Sequence, residues 1–189
     1  LQSDHRDRTI DTLPTIATKA RFMDGPMTLL LTNARLIDPE TGTDAPGSLL
    51  IRDGLIAALN TPAPKGATII DCMGKCLAPG IVDLGVKIGE PGERHKESFR
   101  SAGHAAAAGG VTTIIARADT DPAIDTPEIL EFVTRRAAES PVRIRHMAAL
   151  TKGRAGREMT EIGVLLDAGA IAFSDGDHVT TDTKVLTRA

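Results

Sequence analysis

The chain has 189 residues, a formal net charge of −3 and 41% hydrophobic residues. That is enough apolar material for one core or a core with a smaller satellite. The near-neutral charge gives no electrostatic reason to expect nucleic acid or an anionic membrane surface as a partner. With no Trp, no Tyr and four Phe, the cores must be built from Ala, Val, Ile and Leu, which suits close packing of helices on strands. No stretch is long enough to span a membrane, and the first residues lack the apolar centre of a secretion signal.

Residues 1–26 show no sustained hydrophobic period and are expected to be a mobile extension, an ordered arm on the body being the alternative. Residues 27–79 carry short strands and turns and are expected to form a small β-sandwich domain. L-L-L-T-N-A-R-L-I-D is strand-like, P-E-T-G-T-D is a turn, and Asp53-Gly54 between two apolar runs is a hairpin signal. Cys72 and Cys76 lie in D-C-M-G-K-C. A C-x-x-x-C pair is compatible with a redox or metal half-site, but flanking a G-K turn it suits a hairpin with buried, reduced thiols, in keeping with a cytoplasmic protein.

From residue 80 the rhythm changes to strand then helix, repeated about four times. Strand 81–88 is followed by a helix over 97–108 that stops at Gly109-Gly110. V-T-T-I-I-A-R-A is a buried strand. Thr126-Pro127 caps and starts the next helix, with Ile129, Leu130, Val133 and Ala137 as its apolar stripe. V-R-I-R-H-M-A-A-L is the third strand. Thr160 caps a short helix ended by Gly169, A-I-A-F-S is the fourth strand, and T-K-V-L-T-R-A opens another helix. Alternation of this kind predicts an α/β fold with a parallel sheet. Four such units make only half of an eight-stranded barrel, so the chain is expected either to be half of something larger or to have its open edges covered by a homo-oligomer or another partner.

The stretch V-D-L-G-V-K-I-G-E-P-G, residues 82–92, is the least ordinary. Strict alternation places Val82, Leu84, Val86 and Ile88 on one face, and Asp83, Gly85, Lys87 and Gly89 on the other. The second face holds one acid, one base and two glycines.

Five blocks in order, L-A-P-G-I-V-D-L, E-P-G-E-R-H-K-E-S, A-A-A-A-G-G-V-T-T, A-L-T-K-G-R-A-G-R-E-M-T-E and A-G-A-I-A-F-S-D, resemble the dihydroorotases of the amidohydrolase superfamily. The resemblance covers roughly Leu29 to the C-terminus. It implies the N-terminal part of a TIM-type (β/α) barrel over 80–189 beside the small β domain. The activity it implies is reversible, zinc-dependent hydrolysis of the cyclic amide of dihydroorotate to N-carbamoyl-aspartate, in pyrimidine biosynthesis.

This sequence departs from the family pattern D-x-H-x-H-x-R-E-P-G. The two metal-binding histidines are replaced by Gly85 and Lys87, and the substrate-gripping arginine by Gly89. The substrate-contacting asparagine is matched by Asp119. The bridging metal carboxylate is retained as Asp175, and the next family residue, often Asp, is Gly176. Glycine offers no ligand atom, a cationic Lys repels zinc, and Asp119 repels an acidic substrate. These changes point away from bound zinc and toward a catalytically degenerate homologue, a non-catalytic partner of aspartate transcarbamoylase. The alternative is an active metal-dependent cyclic amidohydrolase with a remodelled site and ligands beyond residue 189.

The Lys87 ammonium is expected to replace the metal's charge by pairing with Asp175 or Asp83, snorkelling to solvent being the alternative. His95 reads as a turn or surface residue, His104 as a helix-surface or packing residue, and His146 as a hydrogen-bonded core histidine. His178, on the loop after the fourth strand, is a weaker candidate for a replacement ligand. E-P-G-E reads as a structural turn, and Arg154 and Arg157 as a solvated loop near the barrel mouth.

Overall fold

A computed structural model describes residues 27–189; the expected extension over 1–26 lies outside them. The chain divides into two compact units that meet in sequence at Pro79 and Gly80. No helix among the described residues is long and apolar enough to cross a membrane.

The first unit is a small mixed sheet. Its strands are β1 (Thr28–Asp38), β2 (Thr43–Arg52), β3 (Leu55–Leu59), β4 (Thr68–Asp71) and β5 (Cys76–Leu77), in the order β3-β2-β1-β4, with β5 also on β1. β2 and β3 are antiparallel. Asp53 and Gly54 between them both have positive φ, 50° and 78°, as a two-residue type I′ hairpin requires. The hairpin expected around Cys72 and Cys76 does not form. β4 and β5 both run parallel to β1, so the turn between them moves the chain along one neighbour instead of reversing it. The two cysteines are free; Cys72 is half-buried and Cys76 exposed, not buried as the hairpin reading implied.

The second unit is a four-stranded parallel sheet in the order β6 (Ile81–Val86), β7 (Val111–Ala116), β8 (Arg143–Ala148) and β9 (Ala172–Phe173). Helices α1 (Phe99–Ala108), α2 (Pro127–Ala137) and α3 (Ile162–Asp167) are the crossovers, and α4 (Thr183–Arg188) follows β9. Phe99, Ile114, Ile124, Leu130, Val133 and Leu165 belong to the core where helices meet one face of the sheet.

Helix α1 begins later than the periodicity suggests because Ser98 and Ser101 form a reciprocal capping box, which satisfies donors that the first turn leaves orphaned. Two expected caps are replaced. Thr126 occupies the N-cap position of α2 without a side-chain cap bond, Pro at the first helical position having already removed one orphan donor. Thr160 does not cap α3, whose N-cap is Glu161. Its hydroxyl donates instead to the carbonyl oxygens of Ala149 and Leu150, at 2.8 and 3.2 Å.

Candidate functional site

The site lies where β6, β7 and β9 run out into their following loops, and Gly85 decides its geometry. Leu84 pairs with Ile115 and Val86 with Ala116. Residues two apart on β6 therefore sit beside consecutive residues of β7. Gly85 is the extra residue of a β-bulge, with φ of +80°, a conformation that L side chains rarely adopt. Side chains of register neighbours share a face, so the alternation inverts at Gly85.

Before the bulge, Asp83 pairs with Ile114, a residue of the helix-covered core, while Val82 and Leu84 share the open face with Thr113 and Ile115. Leu84 is 73% exposed there. After the bulge, Val86 and Ile88 pack against the core and Lys87 turns to the open face. The single polar face expected from strict alternation is thus two faces.

This geometry corrects the expected ion pair. Lys87 cannot share a face with Asp83, and its Nζ lies 3.6 Å from Asp119 Oδ2. Asp119 is buried, its side chain 2% exposed. It is gripped in a fork by Arg117, through Nε at 3.0 Å and through Nη2. The hydrogen bond from Arg117 to Asp119 raises the guanidinium's pKa above its usual range, which fixes Arg117 as a cation. Asp119 therefore does not stand as a bare negative charge: two cations meet it.

Asp175 is held by neutral donors. Its Oδ1 accepts from the Thr151 backbone N–H at 3.0 Å, and its Oδ2 from the Thr151 and Thr180 hydroxyls at 2.6 and 3.0 Å. The Thr151 hydroxyl in turn accepts from the Gly156 N–H at 2.9 Å. Hydrogen bonding of this kind satisfies a buried carboxylate without a cation. It also joins the loop after β8 to the loop after β9. Thr151 is fully buried, so T151V removes a donor to a carboxylate and strands the Gly156 N–H with almost no change of volume. An unfolding free energy lower by about 2 kcal/mol is expected in urea titrations; a change under about 0.5 kcal/mol would show that this network carries no stability.

Arg154 closes the same corner. Its Nε donates to the Asp175 carbonyl oxygen at 2.9 Å and its Nη2 pairs with Asp177. His178 is exposed and places Nδ1 2.9 Å from the Arg154 carbonyl oxygen. Arg154 is thus part of the site and not simply a solvated loop residue, whereas Arg157 is exposed.

The remaining candidates are dispersed. Gly89 belongs to a tight turn in which the Glu93 N–H donates to the Gly89 carbonyl oxygen at 2.6 Å. A Cβ on Gly89 would stand 2.7 Å from the Glu93 carbonyl oxygen, so an arginine there needs a different turn. His95 is exposed in a turn and His104 is exposed on α1. His146 is buried beside Ala116, on the core face, and neither ring nitrogen has a hydrogen-bond partner among the described residues. Its expected hydrogen bond is therefore missing.

Sequence reasoning overlooked Arg117, Thr151 and Thr180. For Arg117 a signal existed, a charged residue between alanines at the end of a buried strand. For the threonines there was none. Among the described residues, no three His, Cys, Asp or Glu side chains converge as a metal-ligating group, and the donor set around Asp175 consists of hydroxyls and N–H groups. The residues present do not fit the two-histidine zinc site of the family pattern.

Residues 74–187 match the family model described as Dihydro-orotase-like. The chain is 38% identical over 162 residues to the dihydroorotase of Streptococcus pneumoniae serotype 4, covering 85% of this chain and 38% of that protein. It is 36% identical over 166 residues to the dihydroorotase of Pelobacter propionicus, covering 86% and 39%. It thus spans less than two-fifths of the length of these relatives.

Among solved structures it is similar to the L-hydantoinase (dihydropyrimidinase) from Arthrobacter aurescens, with a TM-score of 0.70 and 24% identity over 84% of this chain and 36% of that one. An adenine deaminase gives a TM-score of 0.60 at 15% identity, over 86% and 46%. These likenesses carry the fold, which in the second unit is part of an amidohydrolase barrel. By its family match and its sheet of four βα units, the chain belongs to the dihydroorotase-like family of amidohydrolases.

Proposed function

We propose that this chain is a dihydroorotase-like component of pyrimidine biosynthesis that does not hydrolyse dihydroorotate and serves as a non-catalytic partner of aspartate transcarbamoylase. The observation that carries the loss of chemistry is the bulge at Gly85. The strand that holds two metal-binding histidines in the family pattern has here a residue with no side chain at positive φ and, two residues on, a lysine whose Nζ lies 3.6 Å from Asp119. A histidine at residue 85 would have to take a φ of +80°, which L side chains rarely adopt, and Lys87 adds positive charge where a metal ion would add the same sign. The partner follows from the family resemblance, in which non-catalytic members accompany the transcarbamoylase.

The test uses the complete protein, with zinc quantified per chain and dihydroorotate turnover measured in parallel. Sub-stoichiometric zinc, no turnover and co-elution with the transcarbamoylase of the same cell are expected. Stoichiometric zinc with turnover abolished by a chelator would replace this reading by the active cyclic amidohydrolase. Catalytic absence without co-elution would remove the partner and leave the degeneracy standing.

A further inference from the structure

Gly176 stands between two guanidinium groups. A Cβ built on it would lie 3.3 Å from Arg117 Nη2 and 3.3 Å from Arg154 Nη2, and 3.4 Å from the Asp119 Cβ. The two arginines arrive from different elements, Arg117 from the end of β7 and Arg154 from the loop after β8. Both are anchored. Arg117 is forked on Asp119, and Arg154 is fixed by the Asp175 carbonyl oxygen and by Asp177. Guanidinium groups pinned on one edge keep their remaining N–H donors in a set geometry. In each, Nη1 and one N–H of Nη2 have no hydrogen-bond partner among the described residues.

Three cations, Lys87, Arg117 and Arg154, meet two ion-paired carboxylates, Asp119 and Asp177. The third nearby carboxylate, Asp175, has its oxygens turned to the hydroxyls of Thr151 and Thr180 and the Thr151 N–H. Counting Asp175 the cluster holds three cations and three carboxylates, so what it offers an anion is directed guanidinium donors and not excess charge. Where a carboxylate side chain would be expected to mediate between two guanidiniums, the sequence has glycine.

We propose that the space over Gly176 is a binding site for a small oxyanion, a carboxylate or phosphate group, held by Arg117 and Arg154, with Lys87 as the third cation of the cluster. Planar guanidinium donors match both anion types. The site differs from a substrate-carboxylate grip at residue 89, which the turn there denies to a side chain. It needs no metal and stands whether or not the complete protein is catalytically degenerate.

The experiment titrates the complete protein with inorganic phosphate and, separately, with succinate, at constant ionic strength maintained with chloride. Calorimetry and thermal unfolding are the readouts. Saturable one-to-one binding of at least one of the two anions is expected, with a rise in Tm that chloride does not give; which anion binds identifies the preferred type.

G176D places a tethered carboxylate at the same point, and aspartate is among the residues that tolerate positive φ. It is expected to weaken anion binding more than tenfold. R154Q, which removes one guanidinium, is expected to weaken binding more than tenfold and provides the same test should G176D fold poorly. No saturable binding beyond chloride, or parental affinity in a folded variant of either kind, would overturn the site.

Discussion

Replacing Glu90 by alanine is expected to remove about 2–3 kcal/mol of unfolding free energy, the toll of deleting a buried carboxylate that accepts a helix N–H and a half-buried guanidinium. Domains of this size are commonly stable by only about 5–15 kcal/mol, so this is a large fraction. Glu90 is buried and ties three segments together. Its Oε2 accepts the Phe99 N–H at 3.1 Å, one of the orphan donors in the first turn of α1. Its Oε1 receives Arg136 Nε of α2 at 3.0 Å, and Arg94 lies 3.6 Å away. The hydrogen bond to Glu90 is the main reason the Arg136 pKa is raised.

Removing the carboxylate therefore strands the Phe99 N–H and leaves Arg136 paired with Glu139 alone, at 2.8 Å. E90Q keeps an acceptor for the Phe99 N–H while losing the charge, and is expected to forfeit less than half as much. Chemical denaturation monitored by far-UV circular dichroism checks both. A loss below about 1 kcal/mol for E90A would mean that water replaces the carboxylate without difficulty, contrary to its burial. The E-P-G-E turn, read from sequence as structural, would on the expected result be a principal fastening of the second unit.

The sheet of the second unit was legible because its signals are periodic and redundant. Apolar runs such as V-T-T-I-I-A alternate with amphipathic segments such as P-E-I-L-E-F-V, and Gly109-Gly110 and Gly169 mark the stops. The site was less legible because it depends on register, and a single inserted residue inverts a strand's faces. A lone glycine within a strand pattern is a recognised bulge signal, yet Gly85 also reads as a lost ligand, and that second meaning masked the first. Once Gly85 is taken as a bulge, Lys87 must leave Asp83 and meet β7.

Asp175 shows a different limit. Its position in A-F-S-D was plain, but its partners come from Thr151 and Thr180, residues with no periodic or charge signature. Thr160 shows the same ambiguity: a hydroxyl before an apolar run reads as a helix cap, and only the fold reveals that the nearby carbonyls of Ala149 and Leu150 compete for it.

Stability of the second unit is expected to fall by about 3 kcal/mol as pH drops from near 7 to near 4, and H146L is expected to remove most of that slope. His146 is 2% exposed, its ring meets Phe99 edge-on with centroids 5.5 Å apart, and no protein group among the described residues bonds its nitrogens. Burial, and secondarily the charge of Arg145, push its pKa from 6.5 down to about 4. The unfolded chain protonates this histidine as pH falls through 6.5, while the fold keeps it neutral until about 4. Proton uptake therefore favours unfolding across that interval, and the full stabilisation is present only above it.

The carboxylates held below their ordinary range by cationic partners, among them Glu93 by Lys96 and Asp44 by Arg35, add slope only at more acid pH. The interval from 6.5 to about 4.5 thus isolates His146. Leucine also removes two polar atoms that lack partners, so H146L is expected to gain about 1–2 kcal/mol even at neutral pH. Urea titrations of the complete protein and of H146L at half-unit pH steps give both numbers. Equal slopes in the two proteins between pH 6.5 and 4.5 would show that His146 finds a partner or solvent in the folded state and that the neutral, unpartnered ring is not the native form.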